Sequence, residues 1–257
     1  MAALITMADS TLTYGTLRRI MARTLLLQAS WNFERLQNLG ALFALAPGLR
    51  KIYRGEELKE AFHRYSSYFN THPFLASPVI GMILALERER KEKKAIDVGG
   101  DELRKMVMAP YAAMGDALFW GGMRPLAAGA ALLVAVKGSF WAPVVLLTIF
   151  NLPHVWFRWV GLRLGYRLGL GMLPRIQKWR IPDLAVRIKE TTIVLLGGAC
   201  AYLFAITARQ DEVATGWGLL LLPVIVFMSY LTRKGFSILA LVFCSAAFWV
   251  LAGVLMK

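Results

Sequence analysis

The sequence predicts an all-α, polytopic integral membrane protein with N-terminal amphipathic helices, a re-entrant hairpin and about three C-terminal transmembrane helices. Of the 257 residues, 57% are hydrophobic and only 18% are charged, whereas a soluble domain is typically about half apolar and a quarter charged. Lysine and arginine number 30 against 16 aspartate and glutamate residues. This composition excludes disorder. It also argues against nucleic-acid binding, because a soluble basic protein would not need so much apolar sequence.

Residues 1–125 form the first predicted segment, a helical region that is cytoplasmic or partly embedded in the membrane. Thr16–Leu27 has a basic side and an apolar side, which predicts an amphipathic helix on an anionic membrane surface, against a partner, or simply on the protein surface. Ser30–Ala46 carries a helical apolar stripe. Another apolar helix begins near Pro73, and Glu87–Lys94 is interpreted as its solvated end because it contains i,i+4 Glu–Lys pairs.

Residues 126–152 form an apolar stretch that Lys137-Gly138 interrupts near its middle. As one transmembrane helix, this stretch would place Lys137 deep in the bilayer, at a cost of about 2.5–3.5 kcal/mol. As two pieces, neither is long enough to span comfortably. The sequence therefore predicts a re-entrant hairpin with Lys137-Gly138 at its tip.

The C-terminal residues 191–257 contain three uncharged runs, which are Thr191–Ala208, Ala214–Thr232 and Gly235–Met256. Each is long enough to cross a hydrocarbon core about 30 Å thick as a helix. Between the hairpin and these runs lies a basic segment, residues 153–190, in which eight basic residues face two acidic ones. Because basic loops stay in the cytoplasm, we expect this segment and the N-terminus to be cytoplasmic and the C-terminus to be external.

Three short polar segments in the N-terminal region have chemistry that suits ligand binding. The first, Trp31–Arg35, combines polar and aromatic side chains. The second, Asn70–Pro73, has the pattern of a helix cap followed by proline, so capping and binding remain alternatives there. In the third, Asp116 and Arg124 bracket two aromatic residues, and Asp116 is expected either to pair with Arg124 or to bind a ligand.

These segments resemble the enzyme IID subunit of the mannose-family sugar phosphotransferase system. The resemblance rests on Gln28–Gln37, Phe69–Phe74, Gly115–Pro125 and Asn151–Gly169 and extends more weakly to residues 222–234. It implies a bacterial cytoplasmic (inner) membrane protein that forms a hexose path with a IIC subunit, while IIA and IIB subunits carry the phosphoryl group. The IIC–IID pair is expected to form a trimer. The candidate sugar-binding residues are Trp31, Asn32, Glu34, Asn70, Thr71, Asp116, Trp120 and Arg124.

Sugar binding fits these residue types, because amide, carboxylate and guanidinium groups bond the hydroxyls and aromatic faces cover the apolar side of the ring. The rival interpretation is that they only brace the IIC–IID contact. The sequence departs from the family at His72, where glutamine is frequent, at Ala117, where proline is frequent, and in a short external loop near residues 209–216. A non-transport membrane scaffold or sensor that keeps the fold is therefore the alternative function.

The chain is expected to be a non-catalytic subunit, with no phosphorylated residue, metal or cofactor. It has no Walker A pattern and no cluster with metal-ligand spacing. An intramembrane enzyme would need a nucleophile and a base within the C-terminal runs, and these contain no ionisable pair. The basic residues Arg175, Lys178 and Arg180 are candidates for contact with an acidic IIB partner, although positive-inside topology alone is the simpler account of them.

Overall fold

The architecture is helical throughout the part of the chain that the computed structural model describes, residues 12–94, 98–210, 218–219 and 221–255. These residues form α1 (Tyr14–Thr24), α2 (Asn38–Ile52), α3 (Gly55–Tyr65), α4 (Ala76–Lys91), α5 (Gly100–Gly115), α6 (Arg124–Ala135), α7 (Ala142–Leu168), α8 (Met172–Lys178), α9 (Ile181–Gln210), α10 (Leu221–Arg233) and α11 (Ile238–Leu255). A π-helical segment, Asp116–Met123, joins α5 to α6. Contacts divide the chain into two units, residues 1–196 and 197–257.

Two continuous helical stretches are long and apolar enough to cross a membrane. They are Gly100–Ala135 and Ala142–Arg209, while Leu222–Arg233 and Ile238–Val254 are shorter apolar helices. Extended pairing within the described residues is limited to two isolated bridges. The predicted all-α class is therefore confirmed.

The first unit is organised by α4, which is buried from Ala76 to Glu87 and packs along α7. The two backbones approach closely because α7 presents Gly161 and Gly165 to Pro78 of α4. A Cβ atom on Gly165 would clash with the Pro78 carbonyl oxygen, and one on Gly81 would clash with the Leu162 carbonyl oxygen. Small residues spaced four apart permit such close helix packing.

Helix α1 is the predicted amphipathic helix. The Thr13 hydroxyl caps its N-terminus by accepting a hydrogen bond from the Thr16 N–H at 3.3 Å. Its buried face includes Leu17 and Ile20, whereas Arg18 and Arg19 are exposed. The alternation of basic and apolar residues therefore identified this helix and its buried side correctly.

The predicted helix over Ser30–Ala46 is wrong in its first half, because helix α2 begins only at Asn38. Asn32 and Leu36 instead exchange backbone hydrogen bonds of 3.1 and 2.9 Å, and Leu36 has a φ of 51°. The side chain of Asn32 stabilises this turn by accepting from the Arg35 N–H at 2.8 Å. A short amide side chain that bonds nearby backbone groups competes with helix formation.

Glu87 is not part of a solvated helix end, as its i,i+4 spacing to Lys91 suggested. It is 1% exposed and accepts hydrogen bonds from the hydroxyls of Tyr53 at 2.7 Å and Tyr65 at 2.5 Å, with Arg64 at 3.2 Å. Burial, together with the hydrogen bond to Glu87 and the negative charge of Glu87, raises the pKa of each tyrosine well above the ordinary value for tyrosine. Partners on α3 and beside α2 make this burial possible, and no pattern local to α4 encodes them.

The predicted hairpin corresponds to α6 and the start of α7. Lys137 and Gly138 lie in the turn between them, where Gly138 has a φ of 70° that favours glycine. The second arm does not end at Leu152, because α7 continues through Pro153 to Leu168. Arg158 on this extension is 3% exposed and is therefore not a solvated charge of a basic loop.

The second unit contains the end of α9, with α10 and α11. The predicted span 191–208 lies within α9, and the run 235–256 corresponds to α11. Helix α10 covers the later part of the run 214–232. The first part of that run and most of the predicted external loop lie in residues 211–217 and 220, outside the described residues, as do 1–11, 95–97 and 256–257.

Candidate functional site

Two loops of the N-terminal region lie against each other and carry the first two polar segments. One runs from the end of α1 to α2, and the other runs from α3 to α4. Leu36 forms a parallel bridge with Phe69, in which the Gln37 N–H donates to the Phe69 carbonyl at 2.8 Å. This pairing fixes the first polar segment against the second, although more than thirty residues separate them in sequence.

Two buried amides lock the loops together, and neither was among the candidate residues. Gln37 donates through Nε2 to the Thr71 carbonyl at 2.9 Å and accepts through Oε1 from the Thr71 N–H at 3.1 Å. Asn38 donates to the Ser66 carbonyl at 2.6 Å. The only indication in the sequence that these two amides matter was that Gln37 is the last residue of the first segment that resembles the family.

The third segment adopts the π-helical conformation of Asp116–Met123, a widened turn that is frequent at functional sites. It directs Asp116 and Trp120 towards the two loops. Gly115, at the start of the segment, admits the His72 ring, since a Cβ atom there would clash with that ring. The glycine thus permits the contact between the second and third segments.

His72 stacks on Phe119, with ring centroids 5.5 Å apart, and meets Trp120 edge-on at 4.7 Å. It is 2% exposed. Burial, and secondarily the charge of Arg158, lower the pKa of His72 to about 4, so its ring is neutral near pH 7. Nδ1 accepts from the Phe74 N–H at 3.3 Å. The proton is therefore on Nε2, which has no hydrogen-bond partner among the described residues.

Behind His72, Arg158 of α7 contacts the end of α1 and the turn that precedes α4. Its Nη1 donates to the Thr24 carbonyl at 2.6 Å, and its guanidinium carbon lies 4.9 Å from the centre of the Phe74 ring. The His154 ring stacks on the Phe74 ring, with the two ring centroids 4.0 Å apart. Its Nε2 atom forms a hydrogen bond of 2.8 Å with Asn151 Oδ1. These buried groups pack behind the residues of the site and do not line its solvent-accessible surface.

A cavity of about 260 Å³ opens where the three segments meet. We call it the motif cavity, and its lining residues are Gln28, Trp31, Gln37, Asn70, Thr71, His72, Pro73, Ala112, Asp116 and Trp120. Five of the eight candidate sugar-binding residues are among them, at least one from each segment. Thr71 is 3% exposed, and its hydroxyl, like Nε2 of His72, lacks a hydrogen-bond partner within the part of the chain that the structure describes.

The other three candidates do not line the motif cavity. Asn32 is occupied within its own turn and donates to Asn38 Oδ1 at 3.0 Å. Glu34 is exposed and pairs with Arg35 at 3.1 Å. Arg124 is exposed at the start of α6. The expected alternative of an Asp116–Arg124 ion pair is not formed between these two described residues.

The basic residues of the middle segment lie together on and after α8. Arg175, Lys178 and Arg180 are all exposed. Arg180 pairs with Asp183 at 2.5 Å, whereas Arg175 and Lys178 are in no ion pair with any described residue. Of these three candidates, Arg175 and Lys178 are therefore the two whose charges remain open to an external partner.

Comparison with known proteins adds an independent observation. A family profile described as the IID component of the mannose/fructose/sorbose family of the phosphotransferase system matches residues 11–256. The mannose-specific EIID component of Escherichia coli K12 is 37% identical over 171 residues, which are 65% of this chain and 60% of that protein. The matched region thus spans 60% of the length of that curated relative.

Two solved structures share the fold. One, described as a membrane protein, has a TM-score of 0.72 at 27% identity and covers 95% of this chain and 97% of its own. The other is the mannose transporter ManYZ in complex with microcin E492, with a TM-score of 0.59 at 27% identity over 96% of this chain and 97% of its own. These similarities confirm the predicted membrane-protein class.

Proposed function

Because the chain belongs to the IID component family of the mannose/fructose/sorbose phosphotransferase system, we propose that it forms a hexose translocation path with a IIC subunit. IIA and IIB subunits would phosphorylate the sugar, so this chain itself carries no phosphoryl group. The observation that carries the proposal is the family match over residues 11–256. The alternative, a scaffold or sensor without transport, is not favoured, because the family profile matches nearly the whole chain despite the departures at His72 and Ala117.

The motif cavity is the proposed hexose contact of this subunit. Its volume of about 260 Å³ lies just below the roughly 300–1,000 Å³ of sites for drug-sized ligands, which suits a monosaccharide. Asp116 supplies an acceptor for sugar hydroxyls, and Asn70 supplies both a donor and an acceptor. Trp31 and Trp120 supply aromatic faces for the C–H side of the ring.

Thr71 and His72 give the cavity its selectivity in this proposal. The hydroxyl of Thr71 and the Nε2–H of His72 are buried, and no described residue forms a hydrogen bond with either; such groups are costly to leave unsatisfied. A sugar hydroxyl within reach of them would remove this cost. An analogue lacking that hydroxyl would leave the cost in place, so the cavity would reject it.

A IIC subunit is the proposed cover of the motif cavity. Trp31 at its edge stacks edge-on with Phe33, at 4.8 Å between centroids, and Phe33 is 92% exposed. Apolar side chains exposed beside a cavity are typical of partner surfaces. Glu34 and Arg124 are proposed to contact IIC at this rim, whereas Asn32 shapes the loop. A trimer of such pairs remains part of the proposal.

The proposed arrangement in the membrane follows the charge pattern. Residues 1–125 carry the motif cavity and are cytoplasmic or partly embedded in the membrane. Residues 126–152 form the re-entrant hairpin. Residues 153–190 face the cytoplasm, and residues 191–257 cross the membrane. The N-terminus is then cytoplasmic and the C-terminus external, in the inner membrane of a bacterium. Arg175, Lys178 and Arg180 would attract an acidic IIB subunit.

The cavity proposal is tested with Asp116→Asn in the complex with the IIC subunit. We expect full assembly, measured by co-purification, but a KM for hexose uptake raised roughly tenfold, since a carboxylate bond contributes about 1.5–3 kcal/mol. The matched control is Glu102→Gln, which makes the same chemical change at an exposed position of α5. Lost assembly, or uptake equal to that of the control, would contradict a hexose contact at Asp116.

The IIB contact is tested separately with Arg175→Gln/Lys178→Gln. We expect sugar phosphorylation to weaken and to lose part of its salt dependence, while sugar binding stays unchanged. Arg163→Gln/Arg187→Gln removes the same charge elsewhere in the basic segment and serves as control. Phosphorylation that is equal in both variants would leave membrane orientation as the sole role of these charges.

A further inference from the structure

A second, smaller cavity lies on the basic side of α1, away from the motif cavity. Its volume is about 170 Å³, and it is lined by Arg19, Arg23, Pro47, Arg50, Lys51 and Arg54. We propose that this basic cavity binds a phosphate group, provided either by an anionic phospholipid headgroup or by a soluble phosphate compound. The site is independent of the hexose path.

The first support is an excess of uncompensated charge. Five of the six lining residues are cationic, and none of these five forms an ion pair with any described residue. On the adjoining helix α3, Glu56 pairs with Lys59 and Glu57 with Lys91, and Glu60, the third acidic residue of that helix, does not line the cavity. The cavity therefore has no protein counter-charge among the described residues.

The dipoles of the adjacent helices balance only a part of the positive charge at the cavity. Arg23 lies in the last turn of α1, and Arg50 and Lys51 lie in the last turn of α2, where cations are favourable. Each helix C-terminus is equivalent to about half a negative charge. Two termini thus offset roughly one of the five positive charges, and the rest remain available to attract an external anion.

The second support is that the central guanidinium is held in place before any ligand arrives. Arg23 donates from Nη1 to the Phe43 carbonyl at 2.9 Å, and its guanidinium carbon lies 4.2 Å from the centre of the Phe43 ring. Burial, followed by the charges of Arg50 and Arg19, lowers the pKa of Arg23. A fixed cation that is repelled by its neighbours gains most from a bound anion.

The chemistry and size of the cavity favour a phosphate group. Guanidinium groups match the terminal oxygens of phosphate with paired hydrogen bonds. A volume of about 170 Å³ is well below the roughly 300–1,000 Å³ of sites for larger organic ligands, so the cavity has room for one phosphate group together with water. The cavity is open to the surface, where either a lipid headgroup or a soluble compound has access.

The test uses the full chain in phosphatidylcholine nanodiscs and two probes. Inorganic phosphate is titrated calorimetrically, and spin-labelled phosphatidylglycerol is added to the nanodiscs so that its immobilised fraction can be measured. The variant Arg19→Gln/Arg50→Gln removes two charges from the cavity. The control Arg18→Gln/Arg90→Gln removes two exposed arginines that do not line it, and equal melting temperatures establish that both variants fold.

We expect at least one probe to bind, and the cavity variant to bind it roughly tenfold more weakly than the control does. Immobilised lipid without phosphate binding identifies the lipid headgroup as the source, and phosphate binding identifies a soluble compound. The proposal is overturned if neither probe binds or if both variants lose affinity equally. It is also overturned if the cavity variant loses only the binding of an acidic protein subunit.

Discussion

The side-chain amide of Gln37 pairs with the backbone of Thr71 through two hydrogen bonds, one donated at 2.9 Å and one accepted at 3.1 Å. Both residues are buried. This single pair joins the loop before α2 to the loop before α4 and so holds Thr71 at the motif cavity. Its removal should affect both stability and the cavity.

We predict that Gln37→Ala destabilises the protein by about 2–4 kcal/mol, because the buried N–H and carbonyl of Thr71 each lose a partner at about 1–3 kcal/mol. The measurement is the thermal or denaturant unfolding of the purified protein in detergent. Gln177→Ala on α8, where the side chain is exposed, should change stability by less than about 0.5 kcal/mol. A smaller effect at position 37 than at position 177 would refute a locking role.

Substitution of Gly165 tests the close packing of α4 on α7. Gly165→Ala should cost about 1–3 kcal/mol, because its Cβ atom would overlap the Pro78 carbonyl and force the two helices apart. Gly198→Ala is the matched control on α9, where a Cβ atom meets nothing within 4 Å. Unfolding measured in the same detergent should show a loss only for the first variant, and equal stabilities would argue against a close approach.

Glu87 should be the most sensitive acidic position of the first unit. Glu87→Ala leaves the hydroxyls of Tyr53 and Tyr65 and part of the Arg64 charge unpaired, so we expect a loss of about 3–5 kcal/mol. Glu56→Ala breaks an exposed pair with Lys59 and should cost less than about 1 kcal/mol. If both variants unfold at the same denaturant concentration, the buried role of Glu87 is disproved.

The depressed pKa of His72 predicts an acid-sensitive stability. The ordinary pKa is 6.5 and the folded value is about 4, so the unfolded chain binds a proton between these values and the folded chain does not. Stability should therefore fall as pH falls from about 6.5 to 4, by up to about 3 kcal/mol. Above pH 7 this group should have no effect.

His72→Phe should remove that part of the pH dependence while keeping the stack on Phe119, with Arg158 and His154 still in place behind it. Melting temperatures at pH 7.5, 6, 5 and 4.5 measure the slope. The exposed His63 provides the control, since His63→Phe should leave the slope unchanged. A slope in His72→Phe as steep as that of the unchanged protein would assign the acid sensitivity to other groups.

The sequence predicted the features that depend on local pattern. The basic and apolar sides of α1, the turn at Lys137-Gly138 and the long apolar run of α4 follow from periodicity, charge cost and length. The three polar segments were also recognised, and five of their eight candidates line one cavity. Their local chemistry was sufficient to mark them, since such polar and aromatic groups are unusual within so apolar a chain.

Other features depend on contacts that no local pattern encodes. The i,i+4 spacing of Glu87 predicted a solvated pair, but tyrosines from beside α2 and from α3 bury it. The charge pattern predicted that Arg158 is a solvated residue of the basic segment, but contacts with Thr24 and Phe74 hold it inside the protein. In both cases the groups that hold the charged side chain inside the protein are distant in sequence: two tyrosine hydroxyls and Arg64 for Glu87, and a backbone carbonyl and an aromatic ring for Arg158.

The sequence by itself determined the helical membrane class and the segments from which the site is built, because hydropathy, charge and periodicity are properties of single segments. The tertiary structure decided which polar side chains face a common cavity. Gln37 and Asn38 joined the loops, the π-helical turn directed Asp116 and Trp120, and Glu34 remained on the surface. These choices depend on hydrogen bonds and close packing between segments, which form only when the chain folds.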